Sequence, residues 1–173
     1  MDGFALLLTL FGAAVTFAGF LSVVVLIDRK AAGVSADLVS FRVRAIITFV
    51  LVVMMLTTLP FFLNAFGLDA DMTWRWSSGV GAAITVVVIG SVCAVVVKRH
   101  LLNLAAAVRF GASQFYISTL AGVAVVALMS GGAAGFIAPA ASYLLGVFWY
   151  VLTIAILFLR LVFLLDDTAR NRE

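Results

Sequence analysis

The sequence predicts an all-α fold, a polytopic membrane helix bundle with five transmembrane helices, and three observations carry that reading. The 173 residues are 65% hydrophobic and only 11% charged, and their mean hydropathy is +1.27, well outside the range of soluble domains. Five stretches, 3–27, 45–66, 79–97, 117–137 and 143–165, reach the roughly 20 mostly apolar residues that a hydrocarbon crossing requires. The segments between them are short and hold no Pro-, Ser- or Gln-rich tract, so 1–173 reads as a single five-helix transmembrane domain.

The first stretch follows Asp2 and is as long as a full crossing. A cleaved leader would place basic residues ahead of a shorter apolar core, so this helix is expected to be retained. Its Ala14, Ala18 and Ser22 are four residues apart and form a small-residue face of the kind along which helices pack in lipid.

The second stretch, "IITFVLVVMMLTTLPFFL", is bulky almost throughout and contains Pro60. Proline lacks the N–H that would reach the carbonyl of Leu56, and a kink is expected there. Thr57 and Thr58 are placed to bond backbone groups nearby.

The third stretch follows "DADMTWRWSS", whose Trp74 and Trp76 suit anchoring at the membrane surface. It contains Cys93, the only cysteine, so no disulfide forms within the chain. The link from Lys98 to Tyr116 has Leu101, Leu102, Leu104, Ala105, Val108 and Phe115 available for the bilayer side of a short amphipathic helix. The fourth stretch carries Ala127, Gly131 and Gly135 in a second small-residue register.

The fifth stretch contains an arginine. Counting by sevens along it gives Gly146, Thr153, Arg160 and Asp167, one line holding the few small and polar residues of the helix. Arg160 precedes Asp166 by six residues, about 9 Å along a helix, a distance that an arginine side chain can nearly span by snorkelling. Helical side chains tilt toward the N-terminus, however, which starts Arg160 toward the membrane centre. It is expected to point inward near the helix end, held by Asp167 or by Asp28 in an ion pair that fixes register. The sharper reading brings this stripe from several subunits around a pore, where a ring of arginines would favour anions.

Charge predicts orientation. Arg29, Lys30, Arg42, Arg44, Lys98, Arg99, Arg109, Arg160, Arg170 and Arg172 fall on one side of the five crossings, and only Arg75 falls on the other, with Asp2, Asp69 and Asp71. Basic residues stay on the cytoplasmic side, which predicts a multi-pass protein of the bacterial inner (cytoplasmic) membrane with the N-terminus outside and the C-terminus in the cytoplasm. The pI of about 9.5 then reflects topology and contact with anionic membrane lipids, and calls for no nucleic acid.

Several chemistries lack their residues. The single histidine, His100, lies in a link, so no axial haem ligand is expected, and Lys30 and Lys98 sit at membrane edges where no retinal Schiff base would form. No crossing holds two metal-ligating groups, Ser130 has no base in its vicinity, and all eight acidic residues lie at ends or in links. No catalytic residue, metal or cofactor is expected, and the chain reads as no enzyme.

Two functions fit. One is a non-catalytic accessory, assembly or lipid-organising component that works through helix contacts with another membrane protein or with lipid. The alternative is a homo-oligomeric channel or facilitator for a small solute or anion, with the fifth helix near the pore.

Overall fold

The computed structural model describes residues 3–27, 36–98 and 111–170, with side chains described for 3–21, 43–96 and 116–162. Those residues form five α-helices: α1 (Gly3–Ile27), α2 (Ala36–Ala65), α3 (Ala70–Lys98), α4 (Gly111–Ala134) and α5 (Pro139–Arg170). Each contains a segment long and apolar enough to cross a membrane. The described residues are therefore all-helical, and their five long apolar helices suggest a multi-pass membrane protein.

Two tight turns close one end of the bundle, called here the turn end. After α2 the chain reverses at Gly67, whose φ is +83°. Gly67 N–H bonds Asn64 O at 3.0 Å and Leu68 N–H bonds Leu63 O at 3.4 Å, the paired pattern that uses otherwise orphaned carbonyls at a helix end. Asp69 then caps α3, its Oδ1 accepting from Met72 N–H at 2.7 Å. The α4–α5 turn repeats the device: Gly135 has φ +81°, Gly135 N–H bonds Gly132 O at 3.1 Å and Phe136 N–H bonds Gly131 O at 2.9 Å. Pro139 opens α5, where its missing N–H is of no consequence.

These caps explain why helices and apolar stretches differ in extent. Capped by Asp69, α3 starts at Ala70 and takes in Trp74, Arg75 and Trp76, which the apolar stretch 79–97 leaves outside. The two tryptophans consequently part company. Trp74 is half-buried against Phe4 and Tyr143, with ring centroids at 5.3 and 6.0 Å, while Trp76 is exposed. Arg75 Nε pairs with Asp71 Oδ2 at 2.8 Å, and its guanidinium lies over Gly135, at the negative end of α4.

The helices pack in chain order, α1 on α2, α2 on α3, α3 on α4 and α4 on α5. The last helix returns to α1 and also reaches α2 and α3, so α5 touches all four others. Its seam of Tyr143, Val147, Tyr150, Ile154 and Leu161 is fully buried. That spacing of four, three, four and seven is the one that keeps a single helical face against its neighbours. Leu7 and Ala14 of α1 and Ile46, Val53 and Leu56 of α2 meet it from the other side of the core.

Candidate functional site

The polar groups buried in this apolar interior concentrate where α2, α3 and α5 cross in the half nearer the turn end. A hydroxyl buried in hydrocarbon must find a partner or destabilise the fold, so tracing partners identifies what each residue does. Pro60 leaves the carbonyl of Leu56 without its helical donor, and the hydroxyl of Tyr143, on α5, donates to it. Thr57 Oγ1 bonds Val53 O at 2.8 Å and Met54 O at 3.0 Å, and Thr58 Oγ1 bonds Met54 O and Met55 O, both at 3.0 Å. Around Pro60, α2 runs on as one helix, its backbone carbonyls served partly by its own threonines and partly by a tyrosine from α5.

One heptad along α5, Tyr150 donates to Thr85 Oγ1 on α3 at 3.1 Å, and Thr85 donates onward to Gly81 O at 2.7 Å. Toward the turn end, Ser78 and Ser142 both donate to Pro139 O, at 3.1 and 2.9 Å, with their hydroxyls 3.5 Å apart. Ser77 is fully buried and its hydroxyl has no partner.

Glycines let the helices close on this region. A Cβ on Gly81 would collide with the Met129 methyl and lie 3.2 Å from the Tyr143 ring. Gly146 faces the same methionine from α5. Gly122 admits Ile89 and the Trp149 ring, and Gly132 admits Ser142 and the backbone of Pro139.

The stripe read from α5 is placed as follows. Gly146 is buried against Met129, Thr153 is 6% exposed, and Arg160 is half-buried. Each of these residues directly precedes a fully buried member of the seam, Val147, Ile154 and Leu161, so the line runs along the edge of that seam. Thr153 donates to Trp149 O of its own helix at 2.8 Å. Asp28, the side chain of Asp167 and that of Ser22 lie outside what the structure describes, as does most of the link expected to form an amphipathic helix.

Of the small residues on α1, Ala14 is fully buried and Ala18 is half-buried. On α4, Ala127 is exposed, Gly131 sits against Ile137, and Gly135 forms the turn. The face that α4 turns to the core carries Gly122, Val125, Met129 and Gly132 instead. The sequence signal for it was present but faint: two glycines ten residues apart share a helical face, and four-residue spacing does not find them. Tyr143 and Tyr150, each with a hydroxyl to satisfy in an apolar helix, were the other overlooked signal.

Chemically, the crossing holds helices together: most of its hydroxyl protons go to backbone carbonyls. Among the described residues, no group of three His, Cys, Asp or Glu side chains is placed to hold a metal ion.

The Tyr143–Leu56 bond gives a test that separates its two causes. Tyr143→Phe should destabilise the protein by about 1 kcal/mol, since buried hydrogen bonds in membrane bundles average near 0.6 and reach about 1.7. Pro60→Ala restores the N–H that serves Leu56 O along the helix, so in that background the same Tyr143→Phe change should have a smaller effect. Unfolding titrations of the four proteins in mixed micelles give the coupling. Equal effects in both backgrounds would mean that Tyr143 does not serve the carbonyl freed by the proline.

No protein-family model, curated protein or solved structure matches the chain, so its function has to be argued from this geometry.

Proposed function

We propose that the chain is a non-catalytic component of a bacterial cytoplasmic membrane, an accessory, assembly or lipid-organising subunit that works through helix contacts. The turn end lies outside, because ten of the eleven basic residues fall toward the opposite end. The observation that carries this reading is the position of α5. It packs on all four other helices, and its buried polar groups bond neighbouring helices or its own backbone. The buried hydroxyls of α5 therefore serve cohesion, and what remains for interaction is the broad apolar exterior.

The second reading, a homo-oligomeric channel for a small solute or anion, draws on the α5 stripe with Arg160 and on the kink that Pro60 leads one to expect. It needs the α5 stripe at a shared axis, whereas Gly146 and Thr153 are buried within the single chain. A residue packed inside one subunit does not also line a path between subunits, and this favours the first reading.

Native mass spectrometry of the protein extracted gently from its own membrane tests the choice. The expected result is a stoichiometric foreign polypeptide or a retained lipid. Symmetric homo-oligomers alone, with a solute flux that falls in Arg160→Gln, would overturn it in favour of the channel.

A further inference from the structure

The fully buried Ser77 hydroxyl has no partner among the described residues, and the register of α2 against α3 shows what it stands beside. Thr73, Ser77 and Gly81 are four residues apart and share one face of α3. The members on either side of Ser77 both meet the preceding arm of the hairpin. A Cβ at Gly81 would lie 3.6 Å from Leu56 Cδ2 of α2, and Thr73 Oγ1 donates to Leu68 O in the turn at 3.4 Å. Antiparallel helices advance together toward their turn, so one further turn of each brings Pro60 and Ser77, both buried, to the same level. The carbonyl of Leu56 points along α2 toward Pro60. Tyr143, which donates to that carbonyl, has its ring 6.0 Å from the Trp74 ring and 3.2 Å from the Cβ position of Gly81, one turn to either side of Ser77. Leu56 O, the Tyr143 hydroxyl and the Ser77 hydroxyl thus come to one level of the α2, α3 and α5 crossing.

We infer that this level binds one water molecule, which joins Ser77 to the carbonyl freed by Pro60. A carbonyl has two lone pairs; Tyr143 takes one, and Pro60 supplies no N–H for the other. A water there accepts from Ser77 Oγ and donates to Leu56 O and to the oxygen of Tyr143, which makes the about three bonds usual for a buried water. It removes the cost of burying the Ser77 hydroxyl without a partner, and ordered waters are one of the means by which membrane helices satisfy groups released by proline. The three oxygens are uncharged and too few for a hard cation, which gathers about six or more. The competing arrangement keeps Ser77 within α3, donating to Thr73 O as Thr85 and Ser91 donate to the fourth carbonyl before them. In that arrangement Ser77 has nothing to do with Pro60 or Tyr143. The water site goes beyond the accessory reading and does not depend on it.

The test is X-ray radiolysis of the detergent-solubilised full chain in water enriched in heavy oxygen, with oxidised residues located by peptide mass spectrometry. Radiolysis makes hydroxyl radicals from bound water as well as from bulk, so a fully buried side chain is oxidised quickly only where a water lies against it. Tyr143 and Tyr150 are both fully buried on α5, and only Tyr143 borders the inferred water. Tyr143 should be oxidised several-fold faster than Tyr150, and Ser77→Ala and Pro60→Ala should each bring it down to the Tyr150 rate. Equally slow oxidation of the two tyrosines in the unmodified protein would overturn the inference with no variant needed. Fast oxidation of Tyr143 that survives Ser77→Ala or Pro60→Ala, with Tyr150 still slow and the core therefore closed, would overturn it as well, because the water would not join those two positions. Oxidation of Tyr143 that rises when sodium is exchanged for N-methylglucamine would overturn it in favour of a bound cation.

Discussion

Gly132→Val should destabilise the bundle by about 3 kcal/mol, the upper end of what overpacking a close contact usually costs. A Cβ at Gly132 would overlap the Ser142 hydroxyl, approach Ser142 Cβ to 3.0 Å and come within 3.3 Å of Pro139 Cα. The serine hydroxyl could swing aside, but Pro139 Cα is backbone at the start of α5 and can yield only if the helices separate. Separation would also disturb the bonds by which Ser78 and Ser142 reach Pro139 O. Gly132→Ala is a milder version, because the gain in helix propensity of about 1 kcal/mol offsets part of the clash. Gly90→Ala is the control: its Cβ would meet nothing within 4 Å, and its stability should be unchanged or higher. Unfolding in mixed micelles, followed by circular dichroism, measures all three. A valine variant as stable as the parent would mean that α4 and α5 do not approach closely at Gly132.

The second large effect is a failure of additivity around Met129. This side chain is fully buried and lies between Gly81 of α3 and Gly146 of α5. Either glycine changed to alanine pushes on the flexible end of the methionine, which can turn toward the other glycine. Each single substitution should therefore cost about 1 kcal/mol, at the low end of overpacking effects. With both changed, Met129 has neither escape, and the double variant should lose about 1–2 kcal/mol more than the sum, within the range of coupling between residues in contact. Met129→Ala introduced into the double variant should recover part of that loss by vacating the space. The same unfolding titration reads the cycle. Strict additivity would show that the two glycines do not share the methionine.

Much of the architecture was legible because membrane insertion is a local sum. Whether a run of about 20 residues enters hydrocarbon depends on the residues of that run, and all five helices were found on that basis. The carbonyl freed by Pro60 was legible for the same reason, since the missing donor is a property of one residue and the fourth before it. Helix ends were less so: Asp69 and Pro139 start α3 and α5 several residues ahead of the apolar stretches, and capping is a hydrogen-bond property that a hydropathy count does not register.

Inward faces were the harder matter. In a soluble bundle the core side of a helix is apolar and the other side polar, but here lipid and core are both apolar, and the sequence loses the contrast that separates them. Ala127 and Gly131 follow the spacing expected of a contact face, yet α4 turns Gly122, Met129 and Gly132 to the core and leaves Ala127 exposed. The stripe on α5 reads as one line in the sequence, while in the structure Gly146 and Thr153 are buried and Arg160 is half-buried.

By itself, then, the sequence determined that five helices form, where Pro60 deprives one of them of a backbone donor, and which end gathers the basic residues. Tertiary structure decided that α5 is the helix all others touch, that Tyr143 supplies the donor Leu56 lacks from 87 residues away, and that Gly81, Gly132 and Gly146 are the points of closest approach. The physical reason is that insertion is governed by the free energy of transfer of each segment, which composition expresses, whereas helix association in hydrocarbon is governed by shape and by hydrogen bonds between distant residues, which exist only once the helices have met.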